Sequence, residues 1–262
     1  MIQNRDLFYI GLRSFLLQAV WNFERMQNVG FVFILKPLLK KFTNDKEGYF
    51  NALKRHLEFF NVQPYMVSII AGLVVAYEER MKIEGVDFTK EIRTLKSTMA
   101  GPLSAIGDSF FWGTWRPFSA LIIILLFYLT QYRHFILGAY YSNEYYFLIL
   151  LLFIVCYNIP HLYMRFWGVF KAYHIGTKVI TYVRRWHDFK VYTRIHLLAL
   201  ILLAAGFFVF MIVQNFNIST IFALVGLEIV FIIANYYKVS VVKLIYITTV
   251  IVFLLVLLRI IA

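Results

Sequence analysis

Apolar runs separated by basic segments constrain the fold of this chain more than any other feature of its sequence. Of its 262 residues, 61% are apolar and 15% are charged, against about 25% charged in an ordinary soluble domain. The 26 Lys and Arg residues against 14 Asp and Glu leave a net charge of +12, and these charges lie between the apolar runs. The pattern is typical of an integral membrane protein, and it excludes a disordered chain, a collagen and a typical cytosolic enzyme.

Three apolar runs near the C-terminal end, 197–213, 218–234 and 244–258, are predicted to be consecutive transmembrane helices. The stretch before them, 165–194, holds 7 Lys or Arg residues and a single acid, Asp188. By the positive-inside rule this loop faces the cytoplasm. We therefore expect the C-terminus to lie outside, and we place the N-terminus in the cytoplasm.

Three shorter apolar runs, 65–77, 117–130 and 145–159, are bounded by charged residues, Gly or Pro. A helix of 13 to 15 residues covers only about 20–22 Å, which is less than the hydrocarbon thickness of a membrane. Such runs predict re-entrant or broken helices, which survive at membrane depth only where protein or a water-filled cavity surrounds them. A chain with several of them is predicted to line a transport pathway.

The N-terminal segment predicts an amphipathic helix. One face carries residues at helical spacing, namely Leu12, Leu16, Ala19, Phe23 and Met26, and the opposite face carries Ser14, Gln18, Asn22 and Arg25. This helix either lies on the membrane surface or on a partner subunit, or packs on its own domain.

The predicted fold class is an all-α integral membrane protein with an amphipathic N-terminal helix, short re-entrant or broken helices and three C-terminal transmembrane helices. Its predicted parts are an N-terminal helical arm over 1–45, a core over 46–185 that includes the basic cytoplasmic loop, and C-terminal transmembrane helices over 186–262.

The densest polar group lies between Arg55 and Pro64, immediately before an apolar run. If 51–60 is helical, Asn51, Arg55 and Glu58 share one face; Pro64 should break the chain near 61–63. Amide side chains on a broken helix suit hydroxyl recognition, because each offers a donor and an acceptor. Asn61 and Gln63 are therefore candidates for binding a hydroxyl-bearing ligand, or they satisfy backbone groups freed by the helix end.

A second polar group, 101–109, combines two glycines, a proline and an acid, and predicts an unwound, tightly packed turn. An acid at membrane depth suggests a functional site, because its burial must be compensated. Asp108 either accepts hydrogen bonds from sugar hydroxyls or caps a helix that begins near Ser109. Trp112 and its aromatic neighbours either stack on a sugar or anchor the chain at the membrane interface.

The other acidic residues within apolar runs or beside them are predicted to have structural roles. Glu78, beside Glu79, is expected to be a solvated acid near Lys82, and Glu228 is expected to contact a basic or tyrosine side chain of another helix. The histidines lack metal-ligand spacing, and the sequence contains no nucleotide-binding or acyl-transfer motif, so neither a metal nor a cofactor is predicted. The basic loop is better explained by anionic lipid than by nucleic acid.

Several of these strings together resemble a known family. They are Trp21–Phe31, Arg55–Pro64, Ala76–Glu79, Gly101–Pro117 and Asn158–Gly176. In this order they resemble the IID membrane component of the mannose/fructose/sorbose class of bacterial phosphotransferase systems. The resemblance covers about residues 8–185.

The resemblance implies a subunit rather than an independent enzyme. In this family, IID and a second membrane component, IIC, form the sugar-translocating unit in the bacterial inner membrane, as higher-order assemblies of IIC–IID pairs. The soluble IIA and IIB components carry the phosphohistidine, and IIB phosphorylates a hexose or amino sugar in the cytoplasm. Asn61, Gln63 and Asp108 are the predicted sugar contacts, and the resemblance favours Asn61 and Gln63 in this role over a purely structural one. It makes His56, Glu58, Glu79 and Trp112 supporting or partner-facing residues.

The sequence also departs from the family pattern. Ala100 and Ala105 replace a methionine and a glycine of the Gly-Asp string, and Val62 replaces a threonine between the two amides. A longer polar insertion expected beyond residue 185 is missing. The alternative interpretation is therefore a diverged, non-transporting IID-like membrane protein with a regulatory or assembly role.

Overall fold

A computed structural model describes residues 1–137 and 143–186, together with 194–195, 197–199, 201–202 and 226. Residues 1–201 form one compact unit, and 202–262 form a second, of which only Leu202 and Gly226 are described. The described residues form helices, turns and two isolated bridges but no strand, which confirms the predicted all-α class. The predicted spans 197–213, 218–234 and 244–258 and Glu228 lie almost entirely outside the described residues.

Eight α-helices, two short 3₁₀ turns and one π-helical segment make up the first unit as far as the structure describes it. The α-helices are α1 (Asn4–Arg13), α2 (Asn28–Phe42), α3 (Lys46–His56), α4 (Val67–Glu84), α5 (Thr89–Gly107), α6 (Arg116–Leu137), α7 (Asn143–Ile175) and α8 (Val179–Trp186). The π-helical segment, Asp108–Trp115, joins α5 to α6, and the 3₁₀ turns are Ser14–Leu16 and Gly176–Lys178.

The centre of the first unit is the contact between α4 and α7. A Cβ added at Gly72 of α4 would lie 2.5 Å from the carbonyl oxygen of Val169, and one at Gly168 of α7 would lie 2.8 Å from Ser68 Oγ. The Ser68 hydroxyl donates across the interface to the carbonyl of Met164 at 3.2 Å. Small residues and a bridging hydroxyl at a helix crossing are typical of helices that pack within membranes.

The N-terminal helix ends well before the sequence pattern predicts. Helix α1 stops at Arg13, and after one 3₁₀ turn the chain folds back so that Asn22 and Met26 exchange backbone hydrogen bonds at 3.0 and 2.9 Å. The predicted helix through Met26 is therefore wrong, and Phe23, on its predicted apolar face, is 86% exposed. The core is instead contacted by Leu7, Ile10 and Leu17.

Helix α5 continues through the segment predicted to unwind. Pro102 lies inside it, and Asp108 begins the π-helical segment rather than capping a new helix at Ser109. Tertiary packing explains the difference: Ile92, Leu95, Met99 and Leu103 are buried at helical spacing, and this stripe keeps the segment helical despite the proline. The irregularity appears as a π-turn, in which Thr114 Oγ1 donates to the carbonyl of Ser109, five residues earlier, at 2.8 Å.

Two of the short apolar runs are parts of longer helices. The run 117–130 lies within the 22-residue α6, and 145–159 lies within the 33-residue α7, which would be about 50 Å long. Flanking aromatic and polar residues extend both helices, although Pro160 lies inside α7. Among the described residues, 89–127 and 145–185 are long and apolar enough to cross a membrane.

A close backbone approach places the start of α2 against the N-terminal arm. A Cβ added at Gly30 would lie 1.9 Å from the carbonyl oxygen of Leu17, which is far inside van der Waals contact. Only a glycine allows this approach, because the obstructing atom belongs to the backbone and cannot rotate away. The approach packs the buried Leu17 against the start of α2, while 18–26 between them stay mostly exposed.

We predict that Gly30→Ala lowers the free energy of unfolding by about 2–3 kcal/mol, because the arm must move away from α2. The measurement is thermal or denaturant unfolding of the purified protein in detergent. Gly101→Ala is the matched control, since a Cβ there meets nothing within 4 Å and Gly101 also lies within a helix. Equal stability of the two variants would contradict the steric argument.

Candidate functional site

Two of the three residues predicted to contact sugar, Asn61 and Gln63, lie in a non-helical segment that follows α3, Leu57–Gln63, which we call the recognition segment. The break predicted from Pro64 is present, but α3 already ends at His56, so Glu58 is not on a continuous helical face with Asn51 and Arg55. Two backbone hydrogen bonds join the recognition segment to the start of α2, from Gln27 N to the carbonyl of Phe60 and from Phe60 N to the carbonyl of Arg25.

Gln63 connects the recognition segment to α5. Its backbone N–H donates to Ser104 Oγ at 3.1 Å. Its side chain packs directly on Gly107, where an added Cβ would lie only 2.8 Å from Gln63 Cγ. The side-chain oxygen accepts from the backbone N–H groups of Tyr65 and Met66 at 2.7 and 3.2 Å. The side-chain amide nitrogen, Nε2, is buried without a hydrogen-bond partner among the described residues.

Asn61 and Asp108 both lie on the surface of the described unit. Asn61 is two residues before Gln63 in the recognition segment, and Asp108 directly follows Gly107, on which Gln63 packs. The fold therefore brings 61–63 and 104–108 together, although more than 40 residues separate them in sequence. These two segments carry an exposed amide, Asn61, an exposed carboxylate, Asp108, and the buried, unpaired amide nitrogen of Gln63.

A buried ionic cluster fixes the end of α3 just before the recognition segment. The guanidinium of Arg55 donates to both carboxylate oxygens of Glu78 on α4, with N–O distances of 2.8 and 2.9 Å. His56 Nε2 lies 3.0 Å from the same carboxylate, and Arg55 also reaches Thr89 Oγ1 at 3.2 Å. His56 and Glu78 are both buried, so the cluster joins α3 and α4 away from solvent.

Burial and hydrogen bonding determine the charges within this cluster. Burial disfavours the imidazolium form and lowers the pKa of His56 below its ordinary value, and the neighbouring Glu78 only partly opposes this. Burial would raise the pKa of Glu78, but the hydrogen bond from His56 and the charge of Arg55 outweigh it, so the pKa lies below its ordinary value. The cluster is therefore an ionised Glu78 with a cationic Arg55 and a neutral His56, whose Nε2–H donates.

The other residues predicted to support the site lie in different surroundings. Glu58 forms a partly exposed ion pair with Arg93 at 2.6 Å. Glu79 accepts from the backbone N–H of Ile2 at 2.7 Å and from the hydroxyl of Tyr173, so it holds the N-terminus against α7. Trp112, in the π-helical segment, is 44% exposed.

Glu78 lies in a different environment from the one that its sequence neighbours predict. It was expected to be a solvated acid near Lys82, but Glu78 is 3% exposed, and Lys82 instead donates to the carbonyl of Lys41. Helical spacing could have identified it, because Glu78 follows buried Ala71 and Val74 by seven and four residues. Gln27 and Asn28, which are also buried, were part of the resemblance but were given no role.

Comparison with known proteins places the chain in a family. A sequence model of the PTS system mannose/fructose/sorbose family IID component matches residues 1–220. The mannose-specific EIID component of Escherichia coli K12 is 35% identical over 177 residues, which are 67% of this chain and 57% of the relative. The fructose permease IID component of Bacillus subtilis 168 is 31% identical over 180 residues, which are 68% of this chain and 60% of the relative.

Solved structures agree with these sequence relatives. The chain is similar to a cryo-electron microscopy structure of the mannose transporter ManYZ in complex with microcin E492, with a TM-score of 0.55 and 30% identity. That alignment covers 78% of this chain and 70% of the matched chain. The chain thus spans a little over half the length of the E. coli relative, and it belongs to the IID components of the mannose/fructose/sorbose family of phosphotransferase systems.

Proposed function

We propose that this chain is the IID subunit of a mannose-family sugar permease. In this proposal it forms the sugar-translocating unit with a IIC membrane subunit in the bacterial inner membrane, and such pairs assemble further. Soluble IIA and IIB components supply the phosphoryl group, so this chain itself carries no phosphohistidine and catalyses no reaction. Family membership supports the assignment of the chain to such a complex.

The observation that carries the proposal is the meeting of the recognition segment with 104–108. Gln63 hydrogen-bonds Ser104 through its backbone N–H and packs on Gly107 through its side chain, so the two segments that carry Asn61, Gln63 and Asp108 are in contact. These groups are uncharged donors and acceptors plus one anionic acceptor. Such a set matches the many hydroxyls of an uncharged hexose or amino sugar.

Each of the three residues has a distinct proposed role. The Gln63 side-chain oxygen is already used by two backbone N–H groups, so only its buried Nε2 is free to donate to a sugar oxygen. Asn61 is exposed and offers both a donor and an acceptor, and Asp108 accepts from sugar hydroxyls. The exposure of Asn61 and Asp108 suits a site that is completed by a second polypeptide, the IIC subunit.

Phosphorylation gives the transport its direction. A free hexose is neutral and can leave the site towards either side of the membrane. A sugar phosphate carries about two negative charges, and such an ion does not cross back through an apolar membrane interior. We place the N-terminus and the basic stretch that includes Arg184 and Arg185 on the cytoplasmic side, where the phosphoryl donor is found, and the C-terminus outside.

We predict that removing this chain abolishes sugar uptake and sugar phosphorylation in cells that still contain the IIC, IIA and IIB components. Reintroducing the wild-type chain should restore both activities. The measurement is accumulation of radiolabelled hexoses and amino sugars, with separation of free from phosphorylated sugar. Unchanged uptake and phosphorylation in the absence of the chain would contradict a transport role and favour the non-transporting interpretation.

We predict that Asn61→Ala and Asp108→Ala each raise the half-saturating sugar concentration by about tenfold, because each removes a hydrogen bond to the ligand. Both residues are exposed, so the amount of protein in the membrane should not change. Asn51→Ala, at an exposed amide on α3, is the matched control and should retain the wild-type value. Wild-type affinity in both test variants would remove Asn61 and Asp108 from the site.

A further inference from the structure

Two buried amide side chains at the start of α2 hold the recognition segment. The side-chain oxygen of Gln27 accepts from the backbone N–H of Val62 at 3.0 Å, and Nδ2 of Asn28 donates to the carbonyl of Leu57 at 2.7 Å. Gln27 and Asn28 are 2% and 4% exposed; the Gln27–Val62 bond is buried, and the Asn28–Leu57 bond is partly buried. They attach the recognition segment near both of its ends.

The Asn28 amide is itself held in one orientation. Asn22 Nδ2 donates to Asn28 Oδ1 at 2.9 Å, which leaves Asn28 Nδ2 directed towards Leu57. Asn22 is in turn held by the turn it begins, since its Oδ1 accepts from the backbone N–H of Arg25 at 2.8 Å. Residues 22–28 therefore form a hydrogen-bonded support for the recognition segment. None of the proposed sugar contacts lies within 22–28.

The Gln27 bond has the more direct effect on the proposed site, because Val62 lies between Asn61 and Gln63. Val62 is 2% exposed, and its N–H has no other partner among the described residues. Leaving such a donor unpaired favours any rearrangement that exposes or re-pairs it. That rearrangement must move the adjacent peptide groups, which carry Asn61 on one side and Gln63 on the other.

We propose that Gln27 is a positioning residue for sugar binding: by accepting from Val62 N–H, its side chain fixes the placement of Asn61 and Gln63 relative to Asp108. This inference rests on the proposed function, because it concerns the same sugar site. Gln27 does not touch the sugar in this arrangement, so its effect is transmitted through the recognition segment. It also gives a physical role to the Gln27–Asn28 pair within the family-like string Trp21–Phe31.

The test compares Gln27→Met with Gln27→Glu in the complete membrane complex. Methionine keeps the approximate length and volume of the side chain but removes the acceptor, whereas glutamate retains an oxygen that can accept from Val62 N–H. Gln27→Met should raise the half-saturating sugar concentration about fivefold and leave the maximal rate at the wild-type value. Gln27→Glu should have a half-saturating concentration closer to that of wild type. Gln18→Met, the same substitution at an exposed glutamine of the N-terminal arm, is the matched control and should match wild type.

A second measurement follows the segment without requiring sugar. Amide hydrogen exchange of the purified protein should show faster exchange over 57–63 in Gln27→Met, with α4 exchanging as in wild type. If Gln27→Met fails to accumulate, Asn22→Ala replaces it, because Asn22 is only partly buried and its loss releases Asn28. Asn22→Ala should also raise the half-saturating concentration, by about twofold to threefold, and accelerate exchange over 57–63.

The outcomes separate this inference from the proposed function. Unchanged sugar affinity in the acceptor-free variant overturns the positioning role, and so does a fall in maximal rate alone or an equal loss in both Gln27 variants. Wild-type exchange over 57–63 overturns it as well, even in a protein that does not transport sugar. A wild-type chain that supports no uptake contradicts the proposed function, while the exchange experiment still reports on the Gln27–Val62 bond.

Discussion

The requirement to pair every buried backbone group governs how the recognition segment is held. A helix satisfies its own backbone, but 57–63 is not helical, and its buried residues Phe60, Val62 and Gln63 lie where an unpaired N–H or carbonyl is costly. The fold meets this requirement with groups from other parts of the chain, from α2 on one side and from Ser104 on the other. An irregular segment held in this way can present polar side chains at a fixed position within an otherwise helical protein.

The buried ionic cluster extends the same principle from backbone to side chains. Ionised Glu78 receives hydrogen bonds from Arg55 and His56, and these offset the cost of removing the charge from water. Because Arg55 and His56 are the last two residues before the recognition segment, the cluster sets where that segment begins. The elements around the proposed site are thus joined by polar contacts rather than by apolar packing alone.

The sequence predicted features that depend on local chemistry and missed those that depend on tertiary contacts. Pro64 disfavours helix at the residue before it, and 61–63 is not helical, but α3 already ends at His56, five residues before the predicted break. The continued helix at Pro102 was not predictable, because burial of one face of α5 overrides the local preference for a turn. The same limitation applies to Glu78, whose partners lie on a different helix and are not indicated by its neighbours in sequence.

The candidate site was predictable in its residue types but not in its geometry. Amides before Pro64 and a carboxylate after Gly107 indicated hydroxyl recognition, yet nothing in the sequence distinguishes the exposed Asn61 from the buried Gln63. That distinction arises because Gly107 leaves room for the Gln63 side chain, and a Cβ there would lie 2.8 Å from Gln63 Cγ. The proposed sugar site therefore combines a donor fixed inside this chain with two polar groups at its surface.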